Sequence, residues 1–521
     1  MDAFLEATYD RWVLHILLVL PVLGIVAVMA GREAVAKQTA LAVTTLEFLV
    51  SVPAWFRFDT TRAMDFAQRA PWIEAWGIEY RVGVDGISLL LVLLTTFLFP
   101  LAILGSFRYI ARREKTFYAM MLLLLMGVLG VFVAYDMFLF FMFWEIMLVP
   151  MYFIIGIWGG ERRVYAAVKF FLFTAFGSLL MLVGILYLFF KHRALTGDMS
   201  FAYSDLAHVP LTFTEQYWLF AAFAVAFAIK IPLFPLHTWL PDAHVEAPTP
   251  GSVILAAVLL KLGAFGFIRY LLVIFPNAAL HPVVTGTLLV LGLIGILYAA
   301  WVAAVQPDAK KLIAYTSVAH MGFVVLGIAA VSVNGLQGAV IVMLSHGLST
   351  GAMFLLLGML YERRHTRRID DFGGLGAVAP LFATAFVFTA LTSIGLPGTS
   401  GFVGEFLALL GTFETHPWAG FVGATGVIFA AWYMLPMVQR IWFNRLDKPE
   451  NAKVQDLSRR EMAVLVPLLA GMLWLGVYPK PFLDRSERIV TSLVEALETL
   501  KAGGDFRFGS ELDFMRTGDE D

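Results

Sequence analysis

Residues 218–235 read WLFAAFAVAFAIKIPLFP, an apolar run that ends on Lys230 and is then interrupted by Pro232 and Pro235. Proline lacks the backbone N–H that a helix needs, so it breaks the helical hydrogen-bonding pattern. A charged side chain at the centre of a bilayer costs about 2.5–3.5 kcal/mol on insertion scales. Broken backbone at membrane depth is tolerated where the freed polar groups meet protein or water. This stretch therefore predicts a hydrated functional site inside a helical membrane protein.

Three more ionisable residues stand inside apolar runs in the same way. Glu145 lies in DMFLFFMFWEIMLVPMYFII, Lys261 in SVILAAVLLKLGAFGFI, and Glu405 in GLPGTSGFVGEFLALLG. Ionisable residues within membrane segments usually line ion pathways or proton relays, because their insertion cost must be offset by a function. We therefore predict that this chain moves protons or ions.

The composition of the whole chain supports a membrane location. Its 521 residues are 60% hydrophobic and only 15% charged, whereas a soluble domain has roughly 25% charged residues. The net charge of −2, without a basic patch paired with stacking aromatic residues, argues against nucleic-acid binding. The chain has no cysteine, which excludes disulfides, thiolate catalysis and cysteine ligation of iron–sulfur clusters in this chain. We expect neither a bound cofactor nor a metal here.

Hydropathy predicts an all-α, polytopic bundle of about fourteen transmembrane helices, each of about 20 residues. A membrane barrel is excluded because its strands alternate polar and apolar residues, and these runs do not. The predicted spans begin near Trp12, Ala36, Ile87, Thr116, Met137, Tyr165, Tyr217, Gly251, Val283, Leu312, Leu336, Pro380, Trp418 and Glu461. An amphipathic helix over residues 488–501 is expected to follow the last span.

Loop charge orients these spans. Lysine and arginine accumulate in alternate loops, around residues 32–37, 108–115, 162–169, 310–311, 363–368 and 440–460, and are sparse in the loops between. By the positive-inside rule the basic loops face the cytoplasm, which places both termini on the outer side.

A second broken helix is predicted where Gly395, Pro397 and Gly401 precede Glu405. Paired interrupted helices in two halves of a chain indicate a transporter built from repeats. Lys230 and Glu405 are separated by the same interval as Glu145 and His320. We therefore predict two five-helix repeats, each with a broken helix. The expected segments are an N-terminal three-helix segment (1–115), a first repeat (116–275, broken at 230–241), a second repeat (276–443, broken at 395–405) and a C-terminal helix with an amphipathic tail (444–521).

Several other polar residues allow more than one interpretation. His320 and His346 are intramembrane histidines, either satisfied core residues or, with Glu405, members of a proton relay. His237, Asp242 and His244 lie in PLHTWLPDAHVEAPTP and serve as a proton uptake port or as loop support; two histidines and one aspartate on a proline-rich loop are weak grounds for a metal site. Two charged residues near span ends, Glu47 and Arg269, are expected to snorkel to the membrane surface.

The stretch KIPLFPLHTWLPDAHVEAPTPGSVILAAVLLKLGAFG resembles the signature of the proton-translocating, antiporter-like subunits of respiratory complex I (NADH-quinone oxidoreductase). The resemblance extends over residues 84–443 and includes GVDGIS, FFMFWEIMLVPMY, KKLIAYTSVAHMG and LSHGLSTGAMFL. The motif order and a terminal glutamate, where most members have lysine, are typical of the subunit M type.

The resemblance implies a role for each buried group. Glu145 would pair with Lys230 on the first broken helix, and Lys261 would be the central lysine. His320 and His346 would link Lys261 to Glu405. The resemblance also implies a multi-pass protein of the bacterial cytoplasmic (inner) membrane, in contact with lipid. Its partners would be the membrane-arm and peripheral-arm subunits of complex I, which would carry FMN, iron–sulfur clusters and quinone.

Three alternatives remain at this stage. The signature is shared by multisubunit cation/proton antiporters and by membrane-bound hydrogenases. A redox protein with a quinone pocket within this chain is a different class, although nothing in the sequence requires such a pocket. A purely structural membrane scaffold would not explain so many buried charges.

Overall fold

Long apolar helices form most of the structure, a computed structural model that describes residues 2–506 and 508. Within these residues, twelve helices are long and apolar enough to cross a membrane. They are Thr8–Ala30, Glu33–Arg57, Gly86–Ser106, Glu114–Val133, Met137–Trp158, Arg163–Thr196, Thr249–Ile274, Pro282–Ala304, Ala309–Ala330, Val333–Arg364, Pro417–Phe443 and Arg459–Val477. The predicted all-α membrane bundle is confirmed.

The two other predicted spans are the two broken helices. The first consists of Phe213–Lys230 and Trp239–Glu246, separated by turns. The second consists of Pro380–Ile394 and Ser400–Thr415. Together with the twelve unbroken helices they account for the fourteen predicted spans.

Lys230 and Glu405 differ in their relation to these breaks. Lys230 is the last residue before the first break, whereas Glu405 lies in the helix that follows the second. Shifting the sequence by the interval between Lys230 and Glu405 therefore does not align the two breaks with each other.

The centre of the bundle is formed by Thr249–Ile274, Ala309–Ala330 and Val333–Arg364, which are almost completely buried. Small residues allow the second broken helix to approach this centre closely. A Cβ atom on Gly404 would lie 2.6 Å from the backbone nitrogen of Val342, so only glycine fits there. Such close backbone contacts are typical of helix packing in membranes. The hydrophobic effect does not drive helices together there, so their association relies on the close packing that small residues permit.

A β-hairpin precedes the third span, which the sequence analysis did not anticipate. Strands Asp65–Ile73 and Ile78–Val84 pair in antiparallel fashion, joined by the 3₁₀ turn Glu74–Trp76. The hairpin is anchored to the start of the Glu145 helix, because the backbone N–H of Glu79 donates to Asp136 at 3.2 Å. Asp136 also caps that helix by accepting from two of its N–H groups.

The C-terminal helix Lys480–Lys501 is amphipathic, as predicted for residues 488–501, and packs against Gly86–Ser106 and Val333–Arg364. A Cβ on Gly86 would lie 1.6 Å from the carbonyl oxygen of Arg485, so this crossing requires glycine. Residues 509–521, the end of the predicted tail, lie outside the described residues. Shorter helices are Tyr203–Ala207, Pro276–Ala279, Ile369–Asp371, Leu375–Ala377 and Asn451–Lys453.

Candidate functional site

Lys261 lies at the centre of the bundle, in a helix whose hydrogen-bonding pattern changes on both sides of it. The α-helical turn Leu260–Gly266 stands between two π-helical segments, Leu255–Leu259 and Phe267–Leu271. π-helical turns widen a helix and often occur at functional sites. Here one of them lets the Lys261 ammonium reach the carbonyl oxygen of Ala256 at 2.5 Å. The side chain is completely buried.

The Lys261 ammonium also contacts a histidine on a different helix. Its Nζ atom is 2.7 Å from Nδ1 of His346, on helix Val333–Arg364. Lysine only donates hydrogen bonds, so Nδ1 accepts and the neutral His346 ring carries its proton on Nε2. The rings of His346 and His320 follow at a centroid distance of 5.4 Å.

His320 lies between His346 and the carboxyl group of Glu405. Its Nε2 atom lies 2.9 Å from the carbonyl oxygen of Ser393 and 3.6 Å from Oε1 of Glu405. Because Nε2 donates to the carbonyl, the neutral ring leaves Nδ1 as an acceptor. His346 Nε2 and His320 Nδ1 have no hydrogen-bond partner within the described part of the chain. The adjacent rings thus offer one unpaired donor and one unpaired acceptor.

The break in the second broken helix supplies the carbonyl group that orients His320. In a continuous helix, the carbonyl of Ser393 would accept from residue 397, but that residue is proline and has no N–H. Gly395 permits the turn, with φ at +85°. A small polar cavity of about 10 Å³, room for about one water, adjoins this carbonyl. Its lining includes His320, Ser345, His346, Ser349, Thr392, Ser393 and Glu405.

Lys230 is held by aromatic rings. Its ammonium lies 5.4 Å from the ring centres of both Trp144 and Phe170, within the range of cation–π attraction. Within the described residues, Lys230 Nζ and Glu145 Oε1 lack hydrogen-bond partners. In the part of the chain that the structure describes, Glu145 and Lys230 therefore do not form the direct pair that the resemblance implies.

The three polar residues after the first break do not form one site. His237 stacks near Phe234, with ring centres 5.7 Å apart. Asp242 forms an ion pair with Lys169 at 2.7 Å. His244 is buried and stacks on Phe354, with ring centres 4.7 Å apart. No group of three metal-ligating side chains occurs within the residues described by the structure.

Two buried charges differ from the sequence prediction. Arg269 does not snorkel but forms a buried ion pair with Asp85 and lies 4.4 Å from the ring centre of Tyr135. Glu47 is also buried, and both its carboxylate oxygens lack a hydrogen-bond partner among the described residues. The position of Arg269 and Glu47 near span ends did not predict their burial, because residues that are distant in sequence surround these side chains. The motif GVDGIS contains Asp85, and it was the sequence feature that could have indicated an ion-pair partner for Arg269.

Comparison with known sequence families covers nearly the whole bundle. Residues 134–430 match the family described as "NADH:quinone oxidoreductase/Mrp antiporter, TM". Residues 14–132 match "NADH-ubiquinone oxidoreductase chain 4, amino terminus". The chain is 46% identical to NADH-quinone oxidoreductase subunit M of Rhodobacter capsulatus over 471 residues, covering 88% of this chain and 90% of that protein.

Solved structures agree with these matches. A chain of respiratory complex I from Thermus thermophilus superposes with a TM-score of 0.84 at 32% identity, covering 92% of this chain and 99% of that chain. The Mrp complex from Dietzia sp. DQ12-45-1b gives a TM-score of 0.82 at 20% identity, with 95% and 99% of the two chains covered, which shows a shared fold. With its buried line of ionisable groups, this chain belongs to the family of NADH-quinone oxidoreductase subunit M.

Proposed function

We propose that this chain translocates protons as a membrane-arm subunit of NADH-quinone oxidoreductase in a bacterial cytoplasmic membrane. The observation that carries the proposal is the line of buried groups Lys261, His346, His320 and Glu405. Lys261 Nζ lies 2.7 Å from His346, the two histidine rings are 5.4 Å apart between centres, and His320 Nε2 lies 3.6 Å from the Glu405 carboxylate. Buried groups that can both bind and release protons are the parts that a proton relay needs.

The tautomers define how a proton passes along this line. A proton leaves Lys261 Nζ and binds Nδ1 of His346, and the proton on His346 Nε2 leaves towards Nδ1 of His320. The proton on His320 Nε2 then leaves for the carboxylate of Glu405. Each transfer breaks one bond to hydrogen and forms another, so the charge moves while the side chains stay in place. Lysine suits the first position because, unlike arginine, it releases a proton readily.

Glu145 and Lys230 would control when Lys261 releases its proton. Lys230 sits in an aromatic environment where water is scarce, so a charge on it or on Glu145 acts over a longer distance than it would in water. A conformational step that brings Glu145 to Lys230 would change the field along the first half of the chain. His237, Asp242 and His244, which follow the first break, would serve proton uptake from the cytoplasm or support the loop.

The energy for transport would come from partner subunits. Moving one charge against a membrane potential costs about 2.3 kcal/mol per 100 mV. The sequence has neither a dinucleotide fingerprint nor a phosphate-binding loop. We infer that FMN, iron–sulfur clusters and quinone chemistry belong to other membrane-arm and peripheral-arm subunits, and that both termini of this chain face outward.

The predicted segments assign the relay to two units. Residues 116–275 would contain Glu145, Lys230 and Lys261, and residues 276–443 would contain His320, His346 and Glu405. Residues 1–115 and 444–521 would flank these units. The contact between Lys261 and His346 would then be the point where the proton crosses from one repeat to the other.

Exchange of another cation for protons is the second candidate function, supported by the fold shared with the Mrp complex. The two candidates differ in their driving force. Sodium-dependent proton movement without NADH oxidation would favour the antiporter, whereas proton uptake that requires NADH and quinone would favour the proposed function.

The direct experiment replaces Lys261 with methionine in the assembled complex, reconstituted into vesicles. Methionine preserves the length of the side chain but cannot carry a proton. We expect assembly on native gels to be retained and NADH-driven proton uptake through this subunit to be lost. Lys311→Met is a matched control, since Lys311 is a partly exposed lysine outside the relay. Undiminished uptake in Lys261→Met would refute the relay.

A further inference from the structure

The small polar cavity at the second break is lined mainly by oxygen-bearing side chains. Its volume of about 10 Å³ leaves room for about one water-sized occupant. The side chains that present oxygen to it are Ser345, Ser349, Thr392, Ser393 and Glu405. The other ionisable side chains in the lining are those of His320 and His346, and among the described residues neither lysine nor arginine belongs to it.

Several of these oxygens are available to bind an occupant. Among the described residues, the Glu405 carboxylate accepts no hydrogen bond, and its contact with His320 Nε2 is 3.6 Å long. The hydroxyl of Ser349 has no hydrogen bond in this part of the chain either. Thr392 donates to the carbonyl of Phe388 at 3.0 Å, so the lone pairs of its hydroxyl oxygen remain unused. The cavity therefore offers a carboxylate and hydroxyl oxygens as ligands.

The ionised form of Glu405 needs a counter-charge in this place. The residue is 5% exposed, and a buried carboxylate is strongly destabilised unless it is paired with a cation or binds a metal. In the proposed relay, Glu405 releases its proton in every cycle. His320, which donates to the carbonyl of Ser393, is then neutral and supplies no charge. A small cation in the cavity would compensate the carboxylate.

The cavity favours a monovalent cation over a divalent one. Oxygen ligands suit hard cations in general. A single carboxylate does not neutralise a divalent ion, and Mg²⁺ also retains several waters, which do not fit here. Among the common monovalent metal ions, sodium is smaller than potassium and suits the limited space better.

The broken helix resembles known sodium sites in its backbone. In transporters, the C-terminal ends and free carbonyls of interrupted helices coordinate sodium. Thr392 and Ser393 belong to the last turn of Pro380–Ile394. Gly401 allows the second half of the broken helix to approach this turn, because a Cβ there would overlap the carbonyl oxygen of Thr392. The break thus brings a helix C-terminus and the Glu405 carboxylate to one small space.

We propose that this cavity binds a sodium ion, with the Glu405 carboxylate and the hydroxyl oxygens of Ser349 and Thr392 as ligands. Sodium and a proton exclude each other at Glu405, because the ion requires the ionised carboxylate. Bound sodium therefore stops the relay at its last member. The cavity alone supports the binding site, whereas this regulatory effect rests on the proposed function.

Thermal unfolding of the purified full chain in detergent tests the binding site, with NaCl and KCl compared at equal concentration. A ligand that binds only the folded state raises the melting temperature, and we expect it to be about 1–2 °C higher in NaCl. Ser349→Ala removes one ligand and Glu405→Gln removes the charged one, so both should lose this difference. Equal melting temperatures of the unmodified chain in the two salts would show that the cavity holds only water, and would overturn the inference.

The matched control for Ser349→Ala is Ser178→Ala, in the first half of the chain. Ser178 is also buried, and its hydroxyl donates to the carbonyl of Ala175 at 3.0 Å. This variant should retain the sodium-specific difference. Loss of the difference in both serine variants would overturn the assignment of Ser349 as a ligand.

A second measurement separates this inference from the proposed function. NADH-driven proton uptake is followed in vesicles that contain the assembled complex, as NaCl replaces KCl. We expect sodium to lower uptake in the unmodified complex and to have a smaller effect in the Ser349→Ala complex. A sodium-specific thermal shift together with sodium-insensitive uptake would preserve the binding site but contradict the place of Glu405 in the relay. An equal effect of sodium in both complexes would overturn the regulatory effect of this site.

Discussion

The ammonium of Lys261 lies 2.7 Å from Nδ1 of His346. These residues belong to different helices, Thr249–Ile274 and Val333–Arg364, which are both almost completely buried. In the proposed relay, this short contact would give a proton a route between the two halves of the chain. The proposed relay would thus depend on helix packing as well as on the residues themselves.

Replacing Glu405 with glutamine should block the end of the relay. The amide keeps the shape of the side chain but cannot bind and release a proton. Positioned proton-transfer groups typically contribute about 10²–10⁴ in rate, so we expect transfer through this subunit to fall by at least about 10²-fold. NADH-driven proton uptake by vesicles measures the loss.

The control for this change lies on the same helix. Glu414 is exposed and accepts from Asn334 at 2.8 Å, so Glu414→Gln should leave proton uptake unchanged. Equal uptake in the Glu405→Gln and Glu414→Gln variants would contradict a role for Glu405 in the relay.

Gly395→Ala should disturb Glu405 indirectly. Gly395 has φ at +85°, and an added Cβ would lie 2.9 Å from Oε2 of Glu405. Gly398 has φ at +88°, but its added Cβ would meet nothing within 4 Å. Both alanine variants carry left-handed strain of about 1–2 kcal/mol, and only Gly395→Ala should also displace the carboxyl group. We expect similar thermal stability for the two variants, with lower proton uptake in Gly395→Ala; equal uptake would count against the placement of Glu405.

Asp85→Asn tests the buried ion pair with Arg269. Asp85 also caps helix Gly86–Ser106 by accepting from Ser88 at 2.7 Å, and asparagine preserves that cap. The variant therefore removes mainly the charge, leaving Arg269 buried and unpaired. We expect a loss of about 3–5 kcal/mol in the free energy of unfolding, measured by denaturant titration of the purified chain in detergent.

A double variant supplies the check on that assignment. Combining Asp85→Asn with Arg269→Gln removes both charges, so part of the lost stability should return. If the two losses simply add, the ion pair does not account for the effect of Asp85→Asn.

Glu79 should make the hairpin sensitive to acid. Burial alone would raise the pKa of Glu79, but hydrogen bonds from Arg69 and Arg81 outweigh it and lower that pKa. A lowered pKa in the folded state stabilises the hairpin above the unfolded value of about 4.3, and this stability is lost as pH falls through the folded value. Amide exchange of residues 65–84, corrected for its intrinsic pH dependence, should show more opening at pH 3 than at pH 7.

Substitution separates this effect from general acid unfolding. Glu79→Gln should open the hairpin already at pH 7, by about 1.5–3 kcal/mol, because a charged partner is lost. Its exchange should then change less between the two pH values than that of the unmodified protein. An unchanged pH dependence in the variant would assign the effect to another group.

The sequence predicted the membrane bundle because long apolar runs have few structural alternatives. It also singled out the buried ionisable groups of the proposed relay, since a charge such as Lys261 within an apolar run has no low-cost structural role. Proline and glycine marked both breaks correctly, because their backbone effects are local. Each of these signals is carried by short stretches of sequence.

Features that depend on distant neighbours were not predictable in the same way. The burial of Lys310 arises because the end of another helix packs over it, and the partner of Arg269 is far away in sequence. The aromatic rings of Trp144 and Phe170 that contact Lys230 also come from other helices. The hairpin at residues 65–84 lies between two strong apolar runs, which dominated the hydropathy pattern.

The ammonium of Lys230 lies over the indole of Trp144. Indole emission responds to nearby charge, so this ring is a built-in optical reporter of the charge on Lys230. A protein that retains Trp144 as its only tryptophan would make that charge visible during turnover, without any added dye.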